Sequence, residues 1–128
     1  MLDTNIVSEL IRNPTGLAAQ RAREAGDAVC VSVIVASELR YGCAKKGSAQ
    51  LLRRVEEFLS AVPVLPFDVP ADREYGGIRA ELEAAGRPIG SNDLLIAAHA
   101  HMLGATVVTA NVREFQRIRG LSVQNWLA

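Results

Sequence analysis

Short apolar runs rich in β-branched residues alternate with longer amphipathic stretches along the 128-residue chain. The runs that predict strands lie at residues 1–2, 28–31, 62–67, 105–109 and 121–123. Apolar spacings of three and four predict helices at residues 5–12, 17–24, 33–43, 48–60, 70–85 and 93–103. Strands separated by helices require crossover connections, so the pattern predicts a single α/β domain over residues 1–128. The predicted domain has a mainly parallel central sheet with helices on both faces.

Residues with strong local preferences mark the ends of these helices. Ser32, Ser48 and either Ser91 or Asn92 are predicted to cap helix starts, and Pro70 suits a first helical turn. Glycines are predicted to close three of the helices, at residues 26, 86 and 104. Residues 110–113 are predicted to form a turn, and Trp126 to pack on the core.

The composition fits a globular protein and excludes a large basic field. Hydrophobic residues make up 49% and charged residues 22% of the chain, while the formal net charge is zero. Binding to nucleic acid must therefore come from local patches of charge.

Three features predict a cytoplasmic location. The two cysteines form no CxxC motif, which favours reduced thiols. The N-terminus lacks the basic-then-apolar pattern of a signal peptide. The longest apolar stretch, at residues 94–110, contains two histidines and is short for a membrane span, so no membrane association is expected.

Four of the 14 acidic residues do not lie on ordinary solvated helix faces. Asp3 and Glu114 each follow a predicted strand, and Asp93 lies in the first turn of a predicted helix. Glu38 interrupts an apolar helix face, where an unpaired carboxylate is costly to bury.

Each of these acids has an ordinary structural explanation when it is taken alone. Asp3 and Asp93 could cap helices, Glu38 could lie at an exposed rim or pair with Arg40, and Glu114 could pair with a surface arginine. In a parallel sheet, however, ligands bind beyond the carboxyl ends of the strands, so all four acids could converge there.

Converging carboxylates repel one another unless a cation joins them, and an all-oxygen cluster favours Mg²⁺ or Mn²⁺. Such an ion can support hydrolysis of a phosphodiester. Asn5, Thr109 and Asn111 could supply further polar contacts, although turn and cap chemistry explains such residues equally well. No HExxH, Walker or GxGxxG motif is present, and His99 and His101 point to different helix faces.

If four acids bind metal, 14 Lys and Arg residues face ten remaining acids, which leaves a mildly basic surface. Two groups of cations flank the predicted crevice and could contact RNA phosphates, although solvated helix ends explain any single one of them. These candidates are Arg40, Lys45, Lys46, Arg113 and Arg117.

Four segments together resemble the VapC toxins, which are PIN-domain ribonucleases of bacterial toxin–antitoxin pairs. They are LDTN at 2–5, SELRYG at 37–42, PIGSNDLLIAA at 88–98 and VTANVREF at 108–115. The resemblance implies a three-layer α/β/α PIN fold and cleavage of RNA that depends on Mg²⁺ or Mn²⁺. It also implies a homodimer that is inhibited by a VapB-type antitoxin.

By the same resemblance, Asp3 and Asp93 look like direct metal ligands, and Glu38 looks like a ligand or a residue that holds water. Glu114 looks like the fourth acid. The segment at residues 111–126 is similar to the VapC branch that cuts tRNA, initiator tRNA in particular.

Two non-catalytic alternatives remain at this stage. A receiver-like module would need a lysine after a late strand, whereas the only lysines are Lys45 and Lys46. A degenerate PIN domain could bind RNA or a partner without cutting, although the acid set is intact.

Overall fold

The computed structural model describes all residues from 1 to 128. Its helices are α1 (Thr4–Arg12), α2 (Leu17–Ala25), α3 (Val33–Lys46), α4 (Ala49–Ala61), α5 (Ala71–Ala84), α6 (Ser91–Leu103) and α7 (Val112–Phe115). Its strands are β1 (Val31–Ser32), β2 (Val64–Leu65), β3 (Val107–Val108) and β4 (Val123–Gln124).

The four strands form two parallel pairs, β1 with β2 and β3 with β4. Residues 1–3 join the two pairs. The Leu2 N–H donates to the Cys30 carbonyl at 2.9 Å, and Leu2 also forms a parallel bridge with Val108. The Asp3 N–H then donates to the Val108 carbonyl at 2.8 Å. The order β2, β1, residues 1–3, β3, β4 therefore forms a central parallel arrangement.

A continuous core of 25 buried residues surrounds this arrangement. Val31 and Val107 are fully buried, as expected for parallel strands that are covered on both faces. Helices pack in neighbouring pairs around them, with α3 against α4, α1 against α2 and α5 against α6. The predicted α/β/α class, with a mainly parallel centre, is confirmed.

The strands are shorter than the sequence predicts. The predicted strand at residues 28–31 is largely wrong, because Gly26–Ala28 forms a 3-10 helix and β1 begins at Val31. The predicted strand at residues 62–67 reduces to Val64–Leu65, which lies between Pro63 and Pro66. Neither proline has an N–H to donate to the ladder, although the Pro63 carbonyl still accepts the Val31 N–H at 3.0 Å.

Local cap signals were more reliable than strand lengths. Ser32 and Ser48 cap α3 and α4 by accepting the N–H groups of Ile34 and Leu51, both at 3.1 Å. The predicted cap at Ser91 or Asn92 is wrong, because α6 begins at Ser91, two residues before its predicted start, and Gly90 is its N-cap. The start of α6 leaves the Asn92 amide free to bind elsewhere.

The segment after β3 also differs from its prediction. Asn111 precedes a short helix, α7, where the sequence predicted only a turn. This helix carries Glu114 and buries Phe115 completely. No helix of the protein has both the length and the apolar character that crossing a lipid bilayer requires.

Candidate active site at the carboxyl ends of the strands

Asp3 lies at the carboxyl end of the segment that joins the two strand pairs, and only 3% of its surface is exposed. Its carboxylate accepts hydrogen bonds from Thr109 Oγ1 at 2.7 Å, Asn5 Nδ2 at 3.2 Å and the Thr4 N–H at 2.8 Å. Burial nevertheless raises the pKa of Asp3, and the nearby charge of Glu38 adds to that rise. The site therefore holds this carboxylate firmly but stabilises its charge incompletely.

Glu38 projects from α3 toward the same edge. Its Oε1 accepts a hydrogen bond from Thr4 Oγ1 at 2.5 Å, and its Oε2 accepts one from Asn92 Nδ2 at 3.2 Å. The suggested pairing with Arg40 is wrong, because Arg40 donates to both carboxylate oxygens of Glu56 at 2.8 and 3.0 Å. Neutral donors alone bind Glu38.

Asp93 and Glu114 meet through one amide. Asn111 Nδ2 donates to Asp93 Oδ2 at 3.3 Å and to Glu114 Oε2 at 2.6 Å. The pKa of Asp93 is raised to about 7 by burial, by a hydrogen bond with Glu114 and by the charges of Asp3, Glu114 and Glu38. The interactions of Asp93 thus connect all four predicted acids in one electrostatic cluster.

The ion pairs of the protein leave this cluster uncompensated. Cations pair with other acids, in Arg12–Glu9, Arg40–Glu56, Arg79–Glu83, His101–Glu74 and Arg119–Glu81. No lysine or arginine forms an ion pair with any of the four clustered acids. An all-oxygen donor set with uncompensated charge is the chemistry that a hard divalent cation requires.

The spacing of the cluster is looser than a finished coordination shell. No three of the His, Cys, Asp and Glu side chains stand together as a ready set of metal ligands. The donors nevertheless fit a divalent cation in kind, since they are carboxylate oxygens held by amide and hydroxyl groups.

Comparison with known proteins agrees with this geometry. The PIN domain profile matches residues 1–121. The chain is 39% identical over 127 residues to the tRNA(fMet)-specific endonuclease VapC of Shigella flexneri, covering 98% of this chain and 96% of that protein. It is 40% identical over 129 residues to ribonuclease VapC2 of Haemophilus influenzae, covering 99% and 97%. The chain is a VapC-type member of the PIN-domain family.

A solved structure extends the agreement to three dimensions. VapBC2 from Rickettsia felis, bound to a DNA fragment from its promoter, matches this PIN domain with a TM-score of 0.92 and 37% identity. The match covers 98% of this chain and 97% of that one. This chain and the solved relative therefore share their fold over nearly their whole lengths.

A groove of about 370 Å³ opens beside the acids of this PIN domain, between α1, α3 and α4. Thr4 and Glu38 line it at the end near the acids, and Arg12, Lys46 and Arg54 line it elsewhere. Its walls are otherwise mainly apolar. Of the cations that the sequence singled out, Lys46 lies in this groove.

The other predicted phosphate contacts occupy different settings. Arg40 is engaged with Glu56, as described above, and Lys45 lies exposed in the last turn of α3. Arg113 is exposed, whereas Arg117 Nη1 donates to the Pro88 carbonyl at 2.9 Å. Arg117 therefore supports the loop that precedes Asp93.

Sequence reasoning missed two side chains that contact the acids, Thr4 and Asn92. Each is adjacent in sequence to a predicted site residue, Thr4 to Asp3 and Asn92 to Asp93. That adjacency was the available signal. The sequence instead favours a helix cap at Asn92, because asparagine is common at that position.

Proposed function

We propose that this protein is the toxin of a type II toxin–antitoxin pair, an endoribonuclease that uses Mg²⁺ or Mn²⁺ to hydrolyse RNA, with residues 1–128 as one catalytic domain. The observation that carries the proposal is the meeting of Asp3, Glu38, Asp93 and Glu114 at one sheet edge without an ion pair to any lysine or arginine. The VapC relatives, which are named as ribonucleases, support the same reaction class.

The acids have distinct proposed roles. Asp3 and Asp93 would hold the cation directly, Glu38 would serve as a ligand or hold a water, and Glu114 would complete the set. A bound Mg²⁺ or Mn²⁺ would supply a Lewis acid that activates water and stabilises the leaving oxygen. Its charge would also lower the pKa of Asp93, so that this carboxyl would be ionised at neutral pH.

The remaining polar side chains orient the acids. Thr109 and Asn5 fix the buried carboxylate of Asp3, and Asn111 keeps Asp93 beside Glu114. These contacts hold the reacting groups in one geometry before RNA arrives, which reduces the entropy lost at the transition state.

The RNA backbone would approach along the cations beside the acids. Lys46 and Arg54 line the groove next to Glu38. Lys45 and Arg113 are exposed, and in the sequence they lie close to Glu38 and Glu114 respectively. Contacts of this kind bind phosphates without selecting a sequence. Choice of RNA would then depend on the shape of the substrate as well as on its charge.

The decisive experiment is RNA cleavage with Mg²⁺ or Mn²⁺. We expect cleavage to stop on addition of EDTA and to be abolished by Asp93→Asn, while Glu83→Gln on the surface of α5 retains full activity. Cleavage that survives both EDTA and Asp93→Asn would refute the proposal. Binding of RNA without any cleavage would instead support the non-catalytic alternative.

We further propose tRNA as the substrate, initiator tRNA in particular. The support is the 39% identical relative from Shigella flexneri, which is named for cleavage of tRNA(fMet). The wild-type protein should cleave purified initiator methionine tRNA clearly faster than elongator methionine tRNA. Equal cleavage of both would remove this choice of substrate while leaving the nuclease assignment intact.

We also propose a VapB-type antitoxin as partner and a homodimer as the assembly, acting in the cytoplasm where tRNA is found. The matched structure from Rickettsia felis is a VapBC complex, which supports the choice of partner. Light scattering of the purified toxin should give a dimer mass. Co-expression with the product of an adjacent short reading frame should give a complex that has lost RNA cleavage.

A further inference from the structure

Glu38 is the one acid of the cluster whose two oxygens bind side chains from two other helices. Thr4 is the first residue of α1 and donates to Oε1, whereas Asn92 is the second residue of α6 and donates to Oε2. Glu38 itself lies in the middle of α3. Three helices that are distant in sequence therefore meet at one carboxylate.

The positions of the two donors give this contact a specific geometric meaning. Thr4 directly follows Asp3, and Asn92 directly precedes Asp93. Both donors lie in the first turn of a helix, where the backbone is well fixed. Consequently, the hydrogen bonds of Glu38 set its orientation relative to the two carboxylates that are proposed as direct ligands.

The chemistry of the donors also matters. A glutamate has three rotatable side-chain bonds, and holding it in one orientation costs conformational entropy unless partners restrict it beforehand. A lysine or arginine could provide that restriction, but its charge would cancel part of the negative charge that attracts a cation. A hydroxyl and an amide restrict Glu38 and leave its charge intact.

We infer that Thr4 and Asn92 are positioning residues, which hold Glu38 in its working orientation toward Asp3 and Asp93. The inference rests on the proposed function, since Glu38 must act in the metal-dependent reaction for its orientation to matter. Neither residue touches the reacting atoms, and both act through Glu38. Side chains that orient metal-binding carboxylates typically change metal affinity or activity by 10- to 100-fold when they are removed.

The test compares Thr4→Val with Thr4→Ser, and Asn92→Ala with Ser91→Ala as the neighbouring control on α6. Mn²⁺ affinity is measured by titration calorimetry without RNA, and RNA cleavage is measured separately. We expect Thr4→Val and Asn92→Ala each to weaken Mn²⁺ binding and slow cleavage by about tenfold. Thr4→Ser, which retains the hydroxyl, should recover most of the loss, and Ser91→Ala should match the wild type.

A double-mutant cycle with Glu38→Gln separates positioning from a general structural effect. If Thr4 and Asn92 act through Glu38, their removal should weaken Mn²⁺ binding no further in the Glu38→Gln background. An equal loss of affinity in both backgrounds would overturn the inference, and so would wild-type affinity in Thr4→Val and Asn92→Ala. Asn92 is exposed, so Asn92→Ala keeps the test available even if Thr4→Val does not fold.

The outcomes for the wild-type protein distinguish this inference from the proposed function. A wild-type protein that neither binds Mn²⁺ nor cleaves RNA would remove the proposed function itself. A wild-type protein that does both, with variants that behave identically to it, would remove only the positioning role of Thr4 and Asn92.

Discussion

At the scale of single residues, the site orients its acids without neutralising them. Asp3 and Glu38 accept hydrogen bonds only from hydroxyl, amide and backbone groups, whereas Asp93 and Glu114 share the Asn111 amide and bind each other. Such donors orient a carboxylate, whereas a paired lysine or arginine would also neutralise its negative charge. Burial is the main cause of the raised pKa values of Asp3 and Asp93, and the charges of the neighbouring acids raise both pKa values further.

The first prediction concerns Asp93 in the metal-free protein. Its pKa is about 7 in the folded state against 3.8 as the ordinary value, so folding favours the protonated form. Protonation of Asp93 therefore stabilises the folded protein. This stabilisation is complete below pH 3.8, the ordinary pKa of the carboxyl, and is lost as the pH rises through about 7. In EDTA at about pH 8, Asp93→Asn should be more stable than the wild type by about 1–2 kcal/mol, because solvent screens part of the repulsion on this half-buried group.

Denaturant unfolding at several pH values tests this prediction. The advantage of Asp93→Asn should shrink as the pH falls toward about 5, because the wild-type carboxyl then becomes protonated in the folded state. An advantage that is independent of pH would show that repulsion among the acids is not its cause.

The second prediction concerns the buried hydroxyl of Thr109. It donates to Asp3 at 2.7 Å and accepts the Asn111 N–H at 2.9 Å, so it has a partner on each side. Thr109→Val preserves the shape and removes both bonds, which should cost about 1–3 kcal/mol of unfolding free energy. Thr109→Ser keeps both bonds and should recover most of that loss. Equal stability of the Val variant and the wild type would contradict the argument.

At the scale of elements, α6 links the site to the core. Asp93 lies in its first turn, and His99, further along the helix, is only 1% exposed. His99 Nδ1 lies 2.8 Å from Ser32 Oγ, and the His99 ring packs edge-on against Phe67. Because Ser32 caps α3, which carries Glu38, this buried contact joins two of the helices that form the site.

The third prediction follows from the burial of His99. Burial lowers the pKa of His99 below its ordinary value of 6.5, since the charged imidazole is poorly solvated there. The neutral form therefore stabilises the fold above about pH 6.5, and this contribution is lost as the pH falls below that value. His99→Gln should lose less stability than the wild type between about pH 7 and pH 5.

The matched control is His101→Gln, because His101 lies on the same helix but is partly exposed and pairs with Glu74 at 2.7 Å. Urea unfolding of the three proteins across this pH range provides the measurement. If His99→Gln retained the full acid dependence of the wild type, a different group would be responsible.

At the scale of the whole molecule, a net charge of zero is compatible with RNA binding because the charges are unevenly placed. The negative cluster lies at the sheet edge, and the groove beside it carries Arg12, Lys46 and Arg54. Arg12 of this groove pairs with Glu9, and four further ion pairs engage charged side chains outside the groove. Binding of RNA should therefore depend on a few local cations.

The fourth prediction is that RNA binding depends only weakly on salt concentration. The measurement uses the Asp93→Asn variant, so that the RNA stays intact. Loss of one phosphate contact with single-stranded RNA should reduce the steepness of the plot of log binding constant against log salt concentration by about 0.7. Lys46→Ala should show this reduction. Arg79→Ala, which removes a cation paired with Glu83 on α5, should leave the slope unchanged.

Local sequence determined most of the helices and several of their ends. Ser32 and Ser48 cap helices where they were expected to, and Gly104 closes α6 with a φ of 67°. These features depend on interactions within a few residues of the chain. Hydrophobic spacing likewise indicated a parallel α/β fold, since periodicity reports which face of each element is buried.

Only the tertiary structure decided strand lengths and the partners of the acids. The extent of β1 and β2 depends on which backbone groups pair across the sheet, so an apolar run overestimates it. The donors of Glu38 come from residues 34 and 54 positions away in the chain. The sequence could single out Glu38 as unusual on an apolar face, but which neutral side chains reach it was set by the packing of α1, α3 and α6.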